Sequence, residues 1–159
     1  MRASTDDLTP ADRKILEDVE ESGLHVVTVA GEGGRPGYSF TVGLWESFGQ
    51  PEVVVFGLPQ EIAHELLELL ADEADEGHRF LAGTRHEGLL QDYPVRFFEV
   101  PKSRYAEYLG SACWAYEGDD FPAVQLVWPD KQGRWPWDPD GRDGFREAQP
   151  VLGRNAEAG

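Results

Sequence analysis

The chain has 159 residues, with 14 Lys and Arg against 30 Asp and Glu, a formal charge of −16 at pH 7. That balance argues against a nucleic-acid binder, which needs cations to displace phosphate counterions, and against docking on an anionic membrane. The one cysteine, Cys113, excludes an intramolecular disulfide and a cysteine-based zinc centre, whereas 40% apolar residues suffice for a core.

The N-terminal MRASTDDLTPADRK contains no apolar run, so no signal peptide is expected. The densest apolar stretches are too short to span a bilayer, and a cytoplasmic protein is expected. Residues 9–22 predict a helix. Thr9 is its cap, Pro10 its first residue, and Leu8, Ala11, Ile15 and Val19 form its apolar stripe up to Gly23. Leu24–Ala30 and Tyr38–Leu44 predict a hairpin across the turn GEGGRPG. Trp45–Pro51 reads as a loop. Glu52–Leu58 is a nearly continuous apolar run, as in a strand buried on both faces.

Pro59–Asp75 is the clearest helix, with Ile62, Ala63, Leu66, Leu67, Leu70 and Ala74 on one face. His78–Leu81 suggests a short strand, and residues 82–93 remain an unassigned connector. Pro94–Val100 predicts a strand, and Lys102–Leu109 a helix ending at Gly110. Pro122–Trp128 predicts a strand that turns through PDKQG into a last one, Arg134–Trp137. Asn155–Gly159 is expected to fray. The order predicts one α+β domain over residues 1–152 with a tail at 153–159. Its sheet is largely antiparallel, with a partly closed barrel as the alternative, and about three helices pack on one side.

No catalytic signature is complete. Gly31-Glu32-Gly33 begins like a dinucleotide loop, but Pro36 stands at the third glycine and a strand follows, so it reads as a hairpin turn. His64-Glu65 begins like a zinc-protease helix, yet Glu68 replaces the second histidine. His78 begins the suggested short strand and His86 falls in the connector, eight residues apart, and Cys113 has no base beside it in sequence. Neither a cofactor nor a metal is expected.

Two uneven distributions stand out. No Lys or Arg lies between Arg35 and Arg79, whereas nine acids do. Glu61, Glu65, Glu68, Asp72 and Glu73 on the second helix are therefore the expected contacts for a basic partner. Trp114, Trp128, Trp135 and Trp137 fall in the last third. They predict either an aromatic ligand pocket or a core layer clamping the C-terminal segment.

The ordered set Tyr38–Leu44, Pro51–Leu58, Gln125–Asp130, Gly133, Trp135-Pro136-Trp137 and Gln149–Leu152 resembles the bacterial family called domain of unknown function 4262. The resemblance spans nearly the whole chain. It implies a small bacterial cytosolic protein and assigns no catalytic residue. Physically, Gly43 and Gly57 end strands where a backbone bends or approaches closely, and Glu52 needs a partner. Gln125 is placed to hydrogen-bond across the sheet or to a ligand, and Asp130 to cap its turn.

The first expectation is therefore a non-catalytic binding or accessory domain. It would engage a basic protein, as an immunity-like protein does, or a small ligand at Ser39, Thr41, Glu52, Gln125, Trp128, Trp135 and Trp137. The alternative is an enzyme, either a flavin-binding split-barrel oxidoreductase with Ser39 and Thr41 at the phosphate or a metal-assisted hydrolase using the histidines. A homodimer with exposed tryptophans at its interface is the third.

Overall fold

A computed structural model of the chain describes residues 1–2, 8–90, 93–139 and 144–153. The first helix, α1 (Pro10–Ser22), begins and ends where its local signals place it. Thr9 Oγ1 accepts the Asp12 N–H at 3.1 Å, and Gly23 closes the helix at φ +82°. β1 (His25–Val29) and β2 (Tyr38–Val42) form the hairpin, and β3 (Glu52–Phe56) is buried throughout.

α2 (Leu44–Phe48) lies between β2 and β3, where a loop was expected, and α3 (Gln60–Asp75) follows. β4 (Arg85–Leu90) emerges from the unassigned connector and pairs with β5 (Tyr93–Glu99). A 3₁₀ turn, Lys102–Arg104, leads into α4 (Tyr105–Tyr108). Gly110, expected to stop a helix, starts α5 (Gly110–Tyr116) instead. β6 (Ala123–Val127) and α6 (Phe145–Ala148) complete the order.

The six strands run in the order β1-β2-β3-β6-β5-β4. Both outer trios are antiparallel meanders, and they join through one parallel pair, β3 with β6. The sheet is thus mixed and open, with β1 and β4 as its edges: its central pairing is parallel where a largely antiparallel sheet was expected, and the alternative of a partly closed barrel is not formed. The same unit, a helix and three strands, occurs twice: α1 leads β1–β3, and α3 leads β4–β6.

Helices cover both faces, and six α-helices lie among the described residues where about three on one side were expected. Val53, Val55, Val124 and Leu126 pack with Leu66, Leu67 and Leu70 of α3 on one face. Val54, Phe56 and Ala123 pack with Ile15, Val19, Leu109 and Ala112 on the other. A strand apolar on both faces requires cover on both.

Two predicted strands are absent. In 78–81 only Phe80 is buried, and its N–H donates to Gln50 Oε1 at 3.3 Å rather than to a neighbouring strand. Residues 134–137 are a turn: Asp130 Oδ1 accepts the Arg134 N–H at 2.9 Å, and Asp138 Oδ2 accepts the Trp135 N–H at 2.8 Å. The expected fraying of Asn155–Gly159 lies outside the described residues.

Candidate binding site

Five of the expected ligand residues, Ser39, Thr41, Glu52, Gln125 and Trp128, are buried. The Glu52 carboxylate is fully enclosed and accepts five donors. Thr41 Oγ1 reaches Oε1 at 2.8 Å, and the main-chain N–H groups of Gly43, Leu44 and Trp45 reach it at 3.1, 3.1 and 3.2 Å. The Tyr116 hydroxyl donates to Oε2. Glu52 thereby caps α2 from a different strand. Burial pushes its carboxyl above the ordinary range, against the pull of Tyr116, Thr41 and the main chain. Burial and the neighbouring carboxylate push the Tyr116 hydroxyl up as well, so it stays a donor. Ser39 Oγ sits 3.3 Å from Thr28 Oγ1.

The close approach expected of Gly43 and Gly57 is present. A Cβ on Gly43 would meet Gly23 O at 2.5 Å, and one on Gly57 would meet Ala148 O at 2.9 Å. Gln125 is also committed within the chain: its amide donates to Pro150 O at 2.7 Å and accepts from the Leu152 N–H at 2.8 Å. Gln149, part of the set that carries the family resemblance but given no role there, treats Trp128 the same way, accepting its N–H at 2.8 Å and donating to its carbonyl at 2.9 Å.

The tryptophans do not share one pocket. Trp128 packs at a tilt of 57° against Phe145 and donates from its ring to Phe56 O at 2.8 Å, lining a groove of about 530 Å³ at the C-terminal ends of β3 and β6. Trp135 and Trp137 are parallel to within 3°, with the Arg96 guanidinium over both. Trp137 meets Phe98 edge-on. This pair clamps the turn onto β5. Trp114 lies on α5 under Arg2.

Of the histidines, His64 pairs with Glu68 at 3.3 Å, His78 with Glu76 at 3.8 Å and His86 with Glu73 at 3.2 Å. Among the described residues no three His, Cys, Asp or Glu side chains gather as metal ligands would. Burial raises the Cys113 thiol, with Asp119 adding to it, which disfavours the nucleophilic thiolate.

Three acids, Asp18 of α1 and Glu68 and Asp72 of α3, meet at the β1 edge of the sheet. α1 and α3 carry eleven carboxylates against two cations, Arg13 and Lys14. Glu61, Glu65, Glu68 and Asp72 are exposed, and Glu73 is half-buried against His86. Between the two helices, across the start of β1, lies a groove of about 530 Å³ walled by Lys14, Asp18, His25, His64, Glu68 and Asp72. Asp18 Oδ2 lies 2.8 Å from His25 Nδ1, and Lys14 Nζ lies 2.8 Å from Asp18 Oδ1. Burial opposes ionisation of Asp18, but the hydrogen bonds from Lys14 and His25 outweigh it and hold the carboxyl below its usual range.

A second recess, about 260 Å³, opens at the far end of β1. Tyr38, Phe56 and Tyr108 wall it with rings 4.9–5.6 Å apart. Arg35 and Glu107, 3.2 Å apart, stand at its mouth with Glu32. Sequence reasoning missed Asp18, His25 and this recess. The strand HVVTV bears no mark of an edge until its place in the sheet is known.

No described helix is long and apolar enough to cross a membrane. No curated protein and no solved structure matches the chain. A family model described as a domain of unknown function matches residues 18–142, and with more than half of its length so covered the chain belongs to the DUF4262 family.

Proposed function

We propose that this protein is a non-catalytic binding domain whose acidic flank, built from α1, β1 and α3, engages a basic protein partner. The observation that carries this reading is the groove at the β1 edge, where Asp18 of α1 meets Glu68 and Asp72 of α3, on helices that together carry eleven carboxylates against two cations. Most of these groups are exposed, and a field of one sign steers a partner of the opposite sign. An immunity-like protein that masks a basic toxin belongs to this class.

The test is calorimetric titration with an oligolysine peptide at low and high salt. Wild-type protein binds, and binding weakens steeply with salt. Replacing Glu61, Glu65, Glu68, Asp72 and Glu73 by their amides lowers affinity about tenfold or more, from five rim charges each worth a few tenths of a kcal/mol. Equal affinity in the folded, neutralised variant overturns the reading.

A second reading, a small planar ligand between Tyr38, Phe56 and Tyr108, is favoured by the aromatic walls of the second recess. Heat stabilisation by such a ligand, abolished in Tyr108→Ala, would support it.

A further inference from the structure

We propose that β1 is a docking edge, to which an extended cationic segment of the partner adds as a further strand. The inference rests on the binding reading above and specifies how the partner is held.

The two edges of the sheet are built differently. A free edge presents unpaired N–H and C=O groups, and proteins blunt such edges with Lys, Pro, bulges or irregular backbone. β4 is blunted. Its register breaks between His86 and Leu90, Gly88 sits at φ +98°, and Arg85 begins it. β1 has none of these devices. HVVTV contains no Lys, Pro or Gly, and its five residues pair with β2 in unbroken register. Among the described residues it pairs with no other strand. Half of its main-chain groups therefore point away from β2, in the geometry that strand addition uses.

Both ends of this edge open into a recess. Leu24, His25 and Val26 border the groove of Asp18, Glu68 and Asp72, whereas Val29 and Ala30 border the recess of Tyr38, Tyr108 and Glu32. The two ends lie about 13 Å apart, four residues of extended chain. Alternate side chains of an added strand share a face, so cationic residues four apart reach both recesses. At the first they meet Glu68 and Asp72, beside an Asp18 already held by Lys14 and His25. At the second they meet Glu32 and the rings of Tyr38 and Tyr108, the latter already carrying the Arg104 guanidinium 5.4 Å from its centre. Arg35 already holds Glu107 there, but it is 76% exposed and free to yield.

Charge selects the occupant. A second copy pairing through β1 would set two chains of charge −16 edge to edge, with the acidic helices α1 and α3 flanking both strands. The same carboxylates that reject self-pairing accept a basic strand.

The experiment titrates ¹⁵N-labelled protein with a heptapeptide alternating Lys and Val. A second titration uses the same peptide N-methylated at every other residue, which keeps the charge but cannot pair. Alternate amides within His25–Val29 are expected to shift and to gain exchange protection, and the methylated peptide to bind about tenfold more weakly. Thr28→Lys, at an exposed position of β1, is expected to weaken the unmodified peptide with the fold intact. Equal binding of both peptides, with shifts confined to α1 and α3, overturns strand addition and leaves the acidic-flank reading standing. Failure of both peptides overturns both. Concentration-dependent dimerisation through β1 in sedimentation overturns the cationic occupant.

Discussion

The Tyr116 hydroxyl donates to Oε2 of Glu52 across 64 residues of sequence, tying α5 to the buried start of β3. The same oxygen accepts the N–H groups of Gly43 and Trp45, so one carboxylate joins β3, α5 and the first turn of α2. Glu52→Ala strands three main-chain donors and two hydroxyls and is expected to cost about 3–5 kcal/mol. Tyr116→Phe removes one donor and is expected to cost about 1–2 kcal/mol. Urea unfolding with an unchanged slope checks both, and a loss below about 1 kcal/mol for Glu52→Ala would remove this carboxylate from the framework.

The same group sets a pH signature. Burial raises the folded carboxyl above 4.5, so the folded state binds this proton more tightly than the unfolded chain. The associated stability is fully present below about pH 4.5 and is lost as pH rises through the raised value. The stability gap between wild type and Glu52→Gln is therefore expected to narrow from pH 4.5 upward. A gap that stays flat or widens in urea unfolding refutes the raised carboxyl.

Asp130 runs the other way. Burial opposes its ionisation, but hydrogen bonds from Arg134 and Gln132 prevail and hold it below 3.8. Its contribution is present above that value and lost as pH falls through the lowered one. Asp130→Asn is expected to remove part of the acid limb of the stability profile and to loosen the Trp135–Trp137 turn. Tryptophan fluorescence below pH 4 reports both effects.

Gln125 and Gln149 strap the C-terminal segment to β6 by standing in for main chain. Gln149→Ala leaves the buried N–H and C=O of Trp128 without these partners and is expected to cost about 2–3 kcal/mol. Trp128 emission should shift to the red, and the Leu152 amide should exchange faster. An unchanged spectrum would show that the strap holds without this glutamine.

Gly43 and Gly33 separate close approach from turn geometry. Gly43→Ala places a methyl 2.5 Å from Gly23 O at φ +121° and is expected to cost about 2–3 kcal/mol. Gly33→Ala, at φ +58° with nothing within 4 Å, should cost only about 1 kcal/mol. Parity between the two in thermal unfolding would contradict the contact at Gly43.

Features that depend on near neighbours were legible in the chain. Thr9, Pro10 and Gly23 bound α1 because capping is settled within four residues, and the apolar face of α3 repeats at helical spacing. The uninterrupted run of β3 announced burial on both faces, and the lack of Lys and Arg between Arg35 and Arg79 announced the acidic flank. Tertiary structure alone decided the rest. α2 is five residues long and lacks a local side-chain cap, so it depends on a carboxylate delivered by β3. β4 carries Arg, His, Glu and Gly, and becomes a strand because β5 supplies its hydrogen bonds. The parallel pairing of β3 with β6, and hence which strands are left at the edges, is a long-range choice that no local pattern encodes. The acids of α3 were readable as charge, but Asp18 of α1 meeting Glu68 and Asp72 around β1 was not, because that meeting is a property of the sheet order rather than of either helix.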